Sequence, residues 1–275
     1  MQNQKVLYNL LFQASAATLL TIAADPRHLG AHIGFFSVLH TWGQNLLLHP
    51  HVHCVVTGGG LALNRGSWRS PRHQRFFVSV KVLSALFRRL FLEAFWRAFH
   101  AGRLQFHGQL KPLCTRAALE KLFAPIRHSK WVVYAKPPFG GPQRVLDYLG
   151  RYTHRIAISN HRLQHWDADL GRVTFQWKNY RQQGEQVVGS MTLGVDEFIR
   201  RFLLHTVPPG FQRIRYYGLL TNRYRAEQLT LCRQLLHDSQ LLPAVALLAT
   251  SPRPATPSAP SLLTRPCPRW RVSHR

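Results

Sequence analysis

His51-Val52-His53 is the part of this chain best suited to hold a metal ion. In an extended strand, successive side chains point to opposite faces, so two histidines separated by one residue point the same way. Neutral imidazoles are good ligands for divalent cations. A working site also needs a third ligand and open positions for substrate oxygens. Upstream, His40 and Gln44 are within reach by sequence, and Gln44 is the preferred third ligand. Mixed nitrogen and oxygen donors fit Mn2+ or Mg2+ with a bound phosphate. With few acidic ligands the ion keeps most of its charge, which helps it polarise a phosphate and stabilise a leaving oxygen.

The second constellation is Tyr148-Leu149-Gly150-Arg151-Tyr152, about a hundred residues downstream. Residues four apart share one face of a helix, so the two phenols project together, and Arg155 joins them three residues later. A phenol loses its proton only near pH ~10 in water. Cations lower that value, and Arg151 and Arg155 can either favour the phenolate or grip a phosphate. A cation on a phosphodiester facing two phenol nucleophiles can break and rejoin a nucleic-acid strand through a covalent protein link.

Charge supports a polyanionic partner. Lys and Arg number 36 against 11 Asp and Glu, a net charge of +25. That far exceeds what solubility requires and points to a polyanionic partner, nucleic acid first and an anionic membrane second. Apolar residues make up 45% of the chain, enough for a substantial core. The four cysteines, Cys54, Cys114, Cys232 and Cys267, form no C-x-x-C pair, which excludes a zinc ribbon and a disulfide framework. No signal-peptide pattern or bilayer-length apolar run is evident, and a cytoplasmic location is expected. Basic and aromatic residues interleave in 172–181 and 213–225, making Lys178, Arg181, Arg213 and Arg215 candidate DNA contacts.

The elements that must position these groups follow from periodicity. The pattern predicts helices over 5–24 (amphipathic), 79–100, 116–123, 142–152, 196–204 and 224–236. It predicts strands over 33–39, 51–57, 76–80, 131–134, 156–159, 173–178, 187–193 and 214–217. Strands and helices do not alternate regularly, so the expected class is α+β, a mainly antiparallel sheet covered by helices. Residues 1–24 read as an amino-terminal helix and 25–238 as the core, with a DNA-binding extension from about 160. Residues 239–275, rich in Pro, Ser and Arg, read as a disordered tail.

The wider text around both constellations resembles a known family. His51-Val52-His53 with Tyr148-x-x-x-Tyr152 resembles the two-tyrosine branch of the HUH endonucleases. The stretches 39–46, 49–54, 131–142, 148–155, 197–205 and 217–220 resemble rolling-circle transposases of bacterial insertion sequences. The resemblance covers roughly residues 5–235. It implies an antiparallel sheet with His51 and His53 on a central strand and the tyrosine helix laid across it. It also implies cutting and rejoining of single-stranded DNA ends through a 5′-phosphotyrosine, with Tyr148 and Tyr152 as nucleophiles in undecided order. Such proteins usually carry a cysteine-rich, zinc-binding amino-terminal domain; no such cluster precedes His40, so a shortened copy is expected. Two other readings stay open: a replication initiator or relaxase of like chemistry, and a non-catalytic DNA-binding remnant.

Overall fold

The computed structural model describes residues 2–71, 78–129, 131–139, 141–153, 157–178 and 188–248, with residues 142, 149, 151–153 and 238–248 described by backbone alone. The described residues form a mixed α/β architecture with three antiparallel, three-stranded sheets. The central sheet joins β2 (Gly34–Trp42), β3 (Leu48–Val56) and β9 (Ile214–Gly218) in the order β3-β2-β9. A small sheet of β1 (Ala31–His32), β4 (Gly60–Ala62) and β5 (Trp68–Arg69) adjoins it in sequence. A third sheet is built from β6 (Leu163–Asp167), β7 (Arg172–Lys178) and β8 (Val188–Gly194).

The helices are α1 (Gln4–Ala24), α2 (Val80–His100), α3 (Arg116–His128), α4 (Pro142–Thr153), α5 (Val195–Leu203) and α6 (Arg225–Leu248). Each begins within two residues of the position that periodicity predicts. Pro142 opens α4, where a missing N–H costs nothing. Thr115 caps α3 by accepting from the Ala118 N–H at 3.3 Å. Helix α6 continues to Leu248, past the expected start of the tail, and 249–275 lie outside the described residues.

Helix α1 is not amphipathic as expected; it is buried on two sides. Tyr8 and Phe12 pack on Leu39 and Val52 of the central sheet. Leu10 packs on Ala94, Phe95 and Ala98 of α2. A helix held between a sheet and another helix must be apolar nearly all round. By length and composition α1 could also cross a bilayer. In the folded protein Tyr8, Leu10, Phe12, Ala14, Ala16, Leu19, Ile22 and Ala23 are in the core.

Strand β2 is buried along eight of its nine residues because it is paired on both edges and covered by α1. Alternation splits the sheet into two faces. Phe35, Ser37 and Leu39 stand opposite Val56, Cys54 and Val52, on the α1 side. Phe36, Val38 and His40 stand opposite Val55, His53 and His51, on the other side. Strand β3 is therefore an edge strand among the described residues, not the central strand that the resemblance implies. Its start, Leu48 to Pro50, is exposed, and Pro50, which has no N–H, is tolerated on such an edge.

Other departures have local causes. Residues 131–134 alternate as a strand does, with Trp131 and Val133 inward and Val132 and Tyr134 exposed, yet they join no ladder among the described residues. Pro137 and Pro138 remove two donors just beyond them. Ala157 and Ile158 are buried in a bend packed on Phe175 and Leu46, not in a strand; residues 154–156 lie outside the described set. The expected strand 76–80 falls partly on undescribed residues, and Val80 already opens α2. Strand β6 escapes a reading by periodicity because its residues are mostly exposed.

Gly218 closes β9 with φ +58°, and a Cβ there would fall onto the Ile33 carbonyl oxygen. Gly218→Ala is expected to cost more than about 1 kcal/mol, since the native backbone forbids the new side chain. Urea unfolding followed by circular dichroism measures this; an unchanged midpoint would contradict the geometry.

Candidate metal and nucleophile site

The β2–β3 hairpin brings three imidazoles together. His40 and His51 are direct partners across the ladder, and His53 follows two residues on, opposite Val38. One nitrogen from each of His40, His51 and His53 lies within 4.8 Å of the others. His40 is buried and the other two are half-buried. The His40 ring stacks on Trp42 at 4.8 Å and meets the edge of His53 at 4.6 Å.

A hydrogen bond sets the tautomer of His51. His51 Nδ1 donates to the His49 carbonyl at 2.6 Å. A carbonyl only accepts, so Nδ1 carries the proton and Nε2 keeps its lone pair. His53 Nδ1 lies 3.1 Å from the Tyr148 hydroxyl. Burial holds the His53 imidazole well below its usual value, at about 3, with smaller contributions from His40, His51 and Lys136. Burial also lowers His51, against the hydrogen bond to His49. Neutral imidazoles are the form that binds metal. The donor set, the His51 tautomer and the low charge of His51 and His53 thus fit a divalent cation.

Stability should follow the same shifts. An unfolded histidine titrates near 6.5, whereas folded His53 resists protonation to about 3. Between those values the unfolded chain binds more protons, so this contribution is intact above about 6.5 and is lost as pH falls. The metal-free protein should melt progressively lower across that window. The difference between wild type and His53→Gln isolates the effect from carboxylate titration; parallel melting profiles would contradict the burial assignment.

The turn between the two histidine strands is clamped by Arg162, just before β6, by Arg201 on α5 and by His205 just after α5. The carbonyls of Gln44, Asn45 and Leu46 accept in turn from Arg162, Arg201 and His205. Arg201 is shared with Glu197, whose carboxyl is pulled down to about 2 by hydrogen bonds from Arg200 and Arg201. Leu46 is fully buried with φ +60°, packed beside Ala157, Ile158 and Phe175. The clamp holds the register that sets His40 opposite His51, although the ladder shifts between His40 and Trp42.

Helix α4 approaches from the other side. Tyr148 is half-buried, bonded to His53, and braced edge-on by Phe139 at 5.2 Å. The segment 131–139 leads from α2, where Trp131 packs on Phe87 and Phe91, to this point. It carries Lys136, whose charge reaches His53. No local pattern singles out Lys136.

The other expected residues are placed as follows. Tyr152 and Arg151 lie on α4, described by backbone alone, and Arg155 and Arg181 lie outside the described residues. Gln44 occupies the β2–β3 turn, four residues beyond His40. Lys178 is exposed at the end of β7, in the third sheet, and Arg213 is exposed beside β9. Arg215 faces α1, away from the histidines; its guanidinium lies 4.3 Å from the Phe12 ring centre and donates to Asn9 at 2.6 Å. Phe175 of the 172–181 stretch is fully buried and belongs to the core. Placing His40 in the cluster requires reading 33–42 and 48–56 as one hairpin, because a short turn after a strand fixes which residues face each other.

Comparison with known proteins places the chain in a family. A family described as "Putative transposase" matches residues 34–228, a span holding all three histidines and both tyrosines. A "Putative transposase y4qJ" from Sinorhizobium fredii is 58% identical over 243 residues, covering 88% of this chain and 60% of its own length. A "Transposase for insertion sequence element IS801" from Pseudomonas savastanoi pv. phaseolicola is 27% identical over 219 residues, covering 79% of this chain and 50% of its own length. The chain thus spans about half to three fifths of these curated relatives. No solved structure matches it. A chain that carries this family's pattern over most of its length, with histidines and a tyrosine converging inside the matched span, belongs to the transposase family of the IS801 type.

Proposed function

We propose that this chain cuts and rejoins single-stranded DNA through a phosphotyrosine link, with Tyr148 as the nucleophile of the first cut. The contact between Tyr148 and His53 carries the reading. His40, His51 and His53 would hold the cation through three nitrogens, and Mn2+ suits that set better than Mg2+, which prefers an all-oxygen shell. When bound, the cation supplies Lewis-acid polarisation of the scissile phosphate.

The chain's own residues do the rest. With Nε2 of His53 committed as a ligand, Nδ1 carries the ring proton and donates it to the Tyr148 oxygen, which favours the phenolate. The phenol proton passes to solvent. Tyr148 Oη attacks phosphorus, the bond from phosphorus to the 3′-oxygen breaks, and that oxygen takes a proton from water. The products are a 5′-phosphotyrosine and a free 3′-hydroxyl. Phe139 holds the Tyr148 ring in place, and Lys136 neutralises a phosphate oxygen beside it. Tyr152, one turn further along α4, serves the paired transfer step. The expected setting is the bacterial cytoplasm, where the element's DNA resides.

The test is denaturing electrophoresis of the protein with labelled single-stranded oligonucleotides from the element's ends, with and without Mn2+. A labelled band at the protein's mass that needs the cation and resists detergent supports the reading. Cutting that yields no protein-bound label would overturn it.

A further inference from the structure

We propose that Tyr216, with Arg225 beside it, forms a base-stacking subsite for single-stranded DNA on the same sheet face as the histidine cluster. This subsite rests on the proposed single-strand chemistry, because it gives the strand leaving Tyr148 a place to lie.

Strand β9 alternates like the rest of the sheet. Tyr217 turns toward α1 and stacks on Phe35 at 5.0 Å, in the core. Its neighbour Tyr216 pairs in register with Phe36, and Ile214 with Val38. Phe36 and Val38 share the face of His40, and Val38 stands opposite His53. Tyr216 therefore lies on the histidine face, two residue steps and two strands from His53, about 12 Å by ordinary strand spacing.

The ring is displayed rather than packed away. Tyr216 is 43% exposed, while Phe36 beside it across the ladder is 9% exposed, with their ring centres 6.1 Å apart. A half-exposed aromatic ring braced by a buried neighbour is what an unpaired base stacks on. Arg225 lies over one face of the Tyr216 ring, its guanidinium 5.8 Å from the ring centre and donating to Asn222, where it can take the phosphate of a nucleotide stacked on the rest of the ring. Arg223 lies over the neighbouring Tyr224, which is 47% exposed. The ion pairs among the described residues use other arginines. The occupant is a polyanion, as the +25 charge requires, and one whose bases are unpaired, as an aromatic platform requires.

The test uses the full chain with Tyr148→Phe and Tyr152→Phe, which leaves binding free of cutting. The probe is a short oligothymidine carrying 2-aminopurine at successive positions. Tyr216→Ala should weaken binding roughly 5- to 150-fold, the span that loss of one stacked base gives. It should also abolish the 2-aminopurine quenching at one position. Tyr216→Trp should restore both, which a merely structural role for the phenol would not. Arg225→Gln should reduce the slope of log affinity against log salt by about 0.7, one phosphate on a single strand. Tyr216→Ala that folds normally and keeps both affinity and quenching would overturn the subsite, even if the wild type cuts DNA. Wild type that binds through Tyr216 yet forms no adduct under any cation would leave the subsite standing and overturn the cutting chemistry instead.

Discussion

Tyr148→Phe combined with Tyr152→Phe is expected to abolish the covalent protein–DNA adduct. Removing the oxygen removes the nucleophile itself, and comparable losses in covalent catalysis are about four orders of magnitude or more. Phenylalanine keeps the ring that Phe139 braces, so the α4 helix should stay in place. The single variants separate the roles. Tyr148 is the phenol bonded to His53, so Tyr148→Phe alone should lose the first cut. Tyr152→Phe should still form the first adduct and fail in the transfer that follows. The readout is labelled protein on a denaturing gel, with single-stranded binding measured in parallel to show that the variants still take the substrate. An adduct of undiminished intensity in the double variant would sink the assignment of both tyrosines.

His51→Ala is expected to remove cation binding and, with it, cation-dependent cutting. The hairpin register makes the ligand set specific: His40 faces His51, and His53 sits on the same side. Losing a partner that only orients a metal ligand typically lowers affinity 10- to 100-fold, and losing a ligand should do at least as much. His40→Ala should match His51→Ala, because it removes a nitrogen from the same cluster. Gln44→Ala should leave affinity within a few-fold, since the turn is held through its backbone carbonyl. Mn2+ binding by calorimetry or electron paramagnetic resonance reads this without relying on activity. If Gln44→Ala loses the ion while His40→Ala keeps it, the third ligand is the glutamine expected from sequence and the nitrogen set proposed here is wrong.

Much of the site is legible in residue spacing. The H-x-H spacing needs only the two-residue period of a strand, and Tyr148 and Tyr152 need only the period of a helix; both elements form. The helices are legible because their apolar positions repeat. The strand expected at 131–134 fails for a reason that periodicity cannot show. Alternation makes a segment extended, but only a partner gives it a ladder, and partners are set by the rest of the fold. For the same reason local pattern cannot tell that α1 is buried on two sides, or that β3 lies at an edge.

Local pattern by itself determined that the chain would present paired imidazoles and paired phenols on regular elements, within a strongly basic protein. Composition determined the charge, and the histidine and tyrosine motifs with their flanking stretches carried the family. Tertiary structure decided which groups meet. Pairing across the hairpin made His40, and not its neighbour in the turn, the imidazole opposite His51. Packing of α4 brought Tyr148 to His53, and alternation on β9 sent Arg215 to α1 while leaving Tyr216 on the histidine side. Spacing along a chain fixes which side chains share a face, whereas contact between faces depends on register and packing over distances that no local pattern encodes.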